Sequence, residues 1–331
     1  MRAGLNGFGV RRSAFGVLGS VVLRSLVPGS VVLRSLVLGS VVLSSVVLGS
    51  VVLGLTVHAA DDAPKVDEVL ERVATRIAEF YRRAENVICT EKSSVQQIGA
   101  GYSPEGFART VESELHVEPD AGDAPGEAKF VREIRKVNGR VARENERGSK
   151  ERAGCTDPNP LSPEPLAFLL PAHRSEYRFT AAGVGKERNR AALLIDYVSA
   201  NRNSRLELRE DPRGREGCFQ WSGDVAVKGR VWIDPATYDV LRVDERFGGP
   251  VDIKVPSAIQ RRHNFRDFIV VERNDVTIRY RTVSFRDPDE ALLLPESIDM
   301  LMVIHGGLAS TRRNQVFSDY RRFLTGGRVV K

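Results

Sequence analysis

Apolar and polar residues alternate along most of this chain, and where they do not, the apolar ones recur at helical spacing. Val66, Val69, Leu70, Val73, Ile77 and Phe80 fall three and four apart, with Arg72, Arg76, Arg82 and Arg83 elsewhere on the wheel, which predicts an amphipathic helix of about five turns. Beyond it the period drops to two. Strands are predicted at 87–98, 108–117, 129–137, 140–144, 176–181, 190–199, 204–210, 218–225, 268–285, 292–304 and 311–323, with Asn138-Gly139 as a hairpin signal.

Residues 229–247, GRVWIDPATYDVLRVDERF, hold the clearest hairpin. Asp234-Pro235 breaks the ladder, and Asp234 and Asp239 bond local backbone, so 234–239 reads as the turn. Placing Ile233 opposite Leu241 puts Val231 opposite Val243, and gathers Val231, Ile233, Leu241, Val243 and Phe247 on one apolar face. Arg230, Asp234, Arg242, Asp244 and Arg246 form the wet face, with Trp232 set to stack on Arg242. Long strands joined by short turns predict a mainly β (α+β) chain: a strongly curved antiparallel sheet of about ten strands. Accumulated twist makes so large a sheet curl, and the N-terminal helix is the natural cover for its open mouth.

The first 59 residues are of another kind. GSVVLRSLVP, GSVVLRSLVL, GSVVLSSVVL and GSVVLGLTV repeat a ten-residue unit too short for a solenoid. Arg2, Arg11, Arg12, Arg24 and Arg34 precede an uncharged run from Ser35 to Ala60, then small residues and acids. These are the parts of an export signal, with cleavage expected after Ala59. The run is also long enough to span a bilayer as an uncleaved anchor. Either way the leader contacts the inner membrane and residues 60–331, read as one domain, are exported to the periplasm. Five of the 49 basic residues and none of the 43 acidic ones lie in the leader. The remainder is therefore near neutral with interspersed charges, which argues against a nucleic-acid partner.

Cys89, Cys155 and Cys218 would sit in a compartment that permits disulfides. Cys155 sits in one loop and Cys218 follows another, and they are the candidate pair, with Cys89 free on a strand; three unpaired thiols is the alternative. Catalytic signals are sparse. His116, His173, His263 and His305 are scattered, no G-x-S-x-G occurs, and Gly183-Val184-Gly185-Lys186 is not a phosphate loop. Asp287, Asp289 and Glu290 flank Pro288 as a solvated turn. No cofactor, metal or catalytic residue is expected.

GRVWIDPATYDVLRVDERF, VTIRYRTVSFRDPDEALLLPESIDMLMVI and TRRNQVFSDYRRF together resemble the C-terminal half of the outer-membrane lipoprotein-sorting (LolA-like) superfamily, with its related envelope sensors and lipid carriers. The resemblance implies an unclosed β-barrel capped by helices, a concave side that takes acyl chains, and non-catalytic carriage of a lipid or acylated protein. The alternative is an envelope sensor or scaffold that binds a protein partner through the same fold. Met300 and Met302 share a face with Ile298 and Ile304, and methionine adapts to varied apolar partners. With Val231, Ile233, Leu241, Val243, Ile278, Tyr280 and Phe317 they are the candidate lining of an acyl pocket. The simpler reading is that all nine pack beneath the helix.

Overall fold

The computed structural model of the chain describes residues 65–84, 87–119, 128–144, 165–200, 205–211, 218–286, 289–324 and 328–330. The leader, the Ala59 cleavage position and Cys155 lie outside them, as do Asp287 and Pro288. The first described element is helix α1 (Val66–Ala84). Asp67 and Glu68 in its first turn suit the positive end of the helix dipole. Glu68–Arg72 and Glu79–Arg83 pair along its polar side at 2.7 and 3.2 Å. Val69, Leu70, Val73, Ala74 and Ile77 are buried, so the predicted stripe is the face that packs.

The strands are β1 (Val87–Ile98), β2 (Pro104–Pro119), β3 (Ala128–Val137), β4 (Arg140–Val141) and β5 (Tyr177–Glu187), then β6 (Arg190–Ser199), β7 (Leu206–Glu210), β8 (Phe219–Ser222), β9 (Val227–Ile233) and β10 (Val240–Phe247). β11 (Val251–Lys254), β12 (Phe268–Arg286), β13 (Asp289–His305), β14 (Ser310–Leu324) and β15 (Arg328–Val330) complete them. Among the described residues these fifteen strands form one sheet in the order β4-β3-β2-β1-β14-β13-β12-β10-β9-β6-β5. β11 pairs with β12 and, in parallel, with β7; β8 extends β7, and β15 pairs with β14.

Every other ladder is antiparallel and β4 does not meet β5, so the sheet is a strongly curved, unclosed barrel with α1 across its concave side. Register shifts in β1 at Val95/Gln97, in β10 at Val240/Arg242 and in β12 at Val271/Arg273 add local twist. β5 is one margin. It carries a further shift between Ala181 and Val184, where Gly183 sits at φ 89° and Val184 is left exposed.

The expected strands 87–98 and 190–199 match residue for residue. The expectation of about ten strands was too low. β11, β15 and the short helix Ser257–His263 went unread, and β5 runs six residues past the break inferred at Ala181. Gly183-Val184-Gly185 reads as a turn from composition, but the strand uses it as a bulge. The 140–144 segment shrinks to the two residues of β4.

One glycine is required by close approach. Tyr197, Gly229 and Glu245 stand opposite one another on β6, β9 and β10, and the Tyr197 hydroxyl donates to Glu245 Oε2 at 3.0 Å across the glycine. A Cβ on Gly229 would lie 2.1 Å from the Asp244 carbonyl oxygen and 2.5 Å from the Tyr197 ring. Gly229→Ala is expected to lower stability by about 1–3 kcal/mol, read as a drop in urea midpoint at unchanged m-value.

Candidate functional site

Residues in register share a face of the sheet, and the concave side can be followed strand by strand. One row runs Ile195, Val231, Val243, Ile278, Ile298, Gln315, Ser93, Val111, Val137 from β6 to β3. A neighbouring row runs Tyr197, Gly229, Glu245, Val276, Met300, Arg313, Val95. From β6 to β13 these positions are mostly apolar; at β14 and β1 they turn polar.

Val231, Ile233, Val243, Ile278, Tyr280, Met300, Met302 and Phe317 all belong to one buried apolar cluster, which also takes in Val69, Leu70, Val73 and Ile77 of α1. Leu241 is the exception. Ile233 stands opposite Val240, and the shift before Arg242 takes Leu241 out of the pairing the alternation predicts; it is buried, but outside that cluster. The shift follows the Asp234–Asp239 turn, where Asp234 Oδ1 accepts from the amides of Ala236 and Thr237. On the wet face Arg242 stacks over Trp232 at 4.5 Å, as the hairpin register implies.

The polar part of the concave side was missed. Glu91, Ser93, Asn274, Thr311, Arg313 and Gln315 are all buried. Glu91 accepts from Arg132 Nε at 2.6 Å and from Gln315 Nε2 at 2.7 Å. Its carboxylate lies beside Cys89, whose thiol is pushed up to about 12 by burial first and by Glu91 second. Burial also pushes the Arg313 guanidinium down to about 10. A signal for these residues was present: Thr311, Arg313 and Gln315 share the parity of Phe317, which was assigned inward.

The roof is α1 together with Leu166, Phe168 and Leu169. Phe168 packs on Tyr197 and Tyr177 with ring centroids 4.5 and 5.3 Å apart. Arg174 ties this segment to α1 through the Leu70 carbonyl at 2.9 Å and Glu71 at 2.6 Å. Polar pairs fix α1 at the rim: Arg72 donates to the Tyr238 hydroxyl at 2.8 Å, and Arg76 and Arg83 pair with Asp239 and Glu290 at 3.1 and 2.8 Å. Glu290 also pairs with Arg322, so it is an ion-pair hub rather than part of a solvated turn.

Nothing among the described residues gathers into a reactive constellation. His116, His173, His263 and His305 each stand by a separate glutamate, Glu114, Glu176, Glu210 and Glu272, and no group of three His, Cys, Asp or Glu could hold a metal. Cys89 is free and Cys218 is disulfide-bonded; pairing with Cys155 stays an expectation. A cleft of about 340 Å³ is lined by Lys92, Ala108, Thr110, Glu112, Lys136, Asn138 and Gly139. Lys92 and Glu112 alternate with the buried Glu91, Ser93, Val111 and Ser113, which puts this cleft on the convex side.

No protein-family model and no curated protein matches the chain. Among solved structures it is similar to a domain from Vibrio parahaemolyticus assigned to outer membrane lipoprotein sorting: 14% identity, 80% of this chain and 95% of that one, TM-score 0.27. It is similar to a LolA superfamily protein from Nitrosomonas europaea at 10% identity, 79% and 95% coverage and TM-score 0.28. A DUF1329 family protein from Desulfovibrio piger is similar at 10% identity, 79% and 94% coverage and TM-score 0.33. Identity and TM-score both sit too low for these likenesses to bear on what the chain does.

Glu245 gives the site a measurable pH response. Its carboxyl is enclosed beside Tyr197, and burial raises its pKa to about 7 although the Tyr197 hydrogen bond pulls the other way. The folded state therefore holds this proton more tightly than the unfolded chain does. Its contribution is complete below the ordinary glutamate range and is lost as pH rises from there through about 7. Glu245→Gln keeps an acceptor for Tyr197 without the charge. Relative to wild type it is expected to gain on the order of 2 kcal/mol at pH 8 and little at pH 4, seen in urea midpoints across that range.

Proposed function

We propose that residues 60–331 act in the bacterial envelope as a non-catalytic receptor for an acyl chain, free or attached to protein, held between the concave apolar face and α1. One observation carries the reading: among the described residues the concave face is covered by one amphipathic helix and a short 3₁₀ segment, with polar pairs latching the helix at its rim. A lid of this build can be exchanged for an apolar ligand, because what it buries is non-directional and what anchors it is peripheral and exchangeable with water. Each ligand methylene taken from water contributes about 0.8 kcal/mol. The sequence pattern that resembles lipoprotein-sorting proteins supports the same reading.

The second reading, a sensor or scaffold that binds a protein partner, is favoured by how completely α1 fills the face it covers: Val73, Val231 and Ile233 are all 0% exposed. Fluorescent fatty acid added to the delipidated protein separates the two. Saturable binding is expected, and it should quicken in Arg76→Ala/Arg83→Ala, which loosens the rim. A flat titration in both proteins leaves the scaffold.

Export is part of the proposal. Among the described residues no helix is long and apolar enough to cross a membrane, so anchorage would rest on the leader. The intact mass of the protein recovered from the periplasm is expected to correspond to a chain that starts at Ala60. A mass that retains the leader would mean an anchored form.

A further inference from the structure

Among the described residues, Glu245 points inward with no cation in its row. The row is Tyr197 on β6, Gly229 on β9 and Val276 on β12. Asp196, Lys228, Arg230, Asp244, Arg246 and Asp275 alternate with it and so lie on the convex side. From the roof, Arg174 is engaged by Glu71 and the Leu70 carbonyl. From β5, Tyr177 stands edge-on to Tyr197 at 5.9 Å.

Two stacked side chains cover this carboxyl's partner. Because Gly229 has no Cβ, the Tyr197 ring can cross β9 and bring its hydroxyl to Glu245 at 3.0 Å. Phe168 packs on that ring with centroids 4.5 Å apart, and Phe168 and Leu169 are 8% and 0% exposed. Both belong to the 3₁₀ segment Pro165–Leu169. Leu170, which follows, is extended at φ −75° and ψ 149° ahead of Pro171, and four residues on Arg174 holds the chain to α1. The 3₁₀ segment is thus an apolar flap joined at Leu170 to a fixed support.

We infer that Pro165–Leu169 is a proton-controlled gate: it lies on Tyr197 while Glu245 is protonated, and lifts about Leu170 when Glu245 ionises, uncovering the concave face over β6, β9 and β10. A neutral carboxyl is served under apolar cover by the one hydrogen bond from Tyr197. A carboxylate calls for more donors than one hydroxyl, and water reaching it from above supplies them. Burial raises the Glu245 pKa to about 7, so the flap is down below that pH and lifts above it. Lifting gives up the apolar contacts of Phe168 and Leu169 and breaks no strand pairing. What the gate admits rests on the acyl reading above; its movement with pH does not.

The test follows amide hydrogen exchange in the lipid-free exported protein at pH 6 and pH 8.5, corrected for the intrinsic rate at each pH. A carboxyl held near 7 under the flap, and returned to the ordinary glutamate range when uncovered, makes lifting about tenfold more frequent at the higher pH. Protection of residues 166–170 is expected to fall by that factor while β6 and β10 keep theirs, and the fall should vanish in Glu245→Gln. Equal protection at the two pH values in wild type overturns the inference, a result that needs no variant to fold. So does a fall shared by β6 and β10, which is loosening of the sheet, or one that Glu245→Gln retains. A fluorescent acyl methyl ester, uncharged at both pH values, reports what passes the gate. Its release should quicken severalfold at pH 8.5 in wild type and not in Glu245→Gln. Release that ignores pH while exchange responds overturns the gate and leaves only a moving flap. Absence of ester binding overturns the acyl reading and the gate with it, and the exchange result alone then decides whether the flap moves.

Discussion

The structure depends on one burial: an open sheet with an apolar concave side has to keep that side from water, and α1 is what covers it. A sandwich would use a second sheet and a closed barrel its own far wall. Here Val69, Leu70, Val73 and Ile77 lie in the same cluster as Val231, Ile233, Ile278 and Ile298, so the helix and the strand faces are each other's solvent shield. Neither has a stable exposed form without a substitute. The rim pairs, individually worth little, set where the cover sits, while the apolar contact sets that there must be one.

Curvature is the second requirement, and the strands meet it with register shifts rather than with loops. Each shift breaks strict alternation locally and bends its strand. The cost to a reading based on alternation is visible at Leu241, which period two assigns inward and which the shift beside Arg242 removes from the row. The gain is a face bent enough for one helix of 19 residues and the short 3₁₀ segment beside it to cover it.

What was legible in the sequence follows from range. The α1 stripe, β1, β6 and the Trp232–Arg242 stack are set by residues a few positions apart, and alternation or helical spacing displays them directly. β11 escaped because four residues carry too little pattern and its partners, β7 and β12, are distant in the chain. The buried polar residues escaped for a different reason. Composition places Arg313, Gln315 and Glu91 outside, whereas parity with Phe317 places the first two inside; register is the stronger constraint, because a strand cannot send alternate side chains to the same face as their neighbours. Glu290 likewise reads as a loop acid until β13 and β14 bring it between Arg83 and Arg322.

Among the described residues β4 and β5 have no strand on their outer sides, and a long margin of unpaired amides and carbonyls invites another chain to add itself as a strand. β5 is such a margin, and its shift at Gly183 falls in the middle of it. The kink presents an incoming strand with a bent template instead of a straight one, flanked by the charged Arg178 and Lys186. Edge-to-edge addition of a second copy is thereby disfavoured along β5, without any need for the barrel to close.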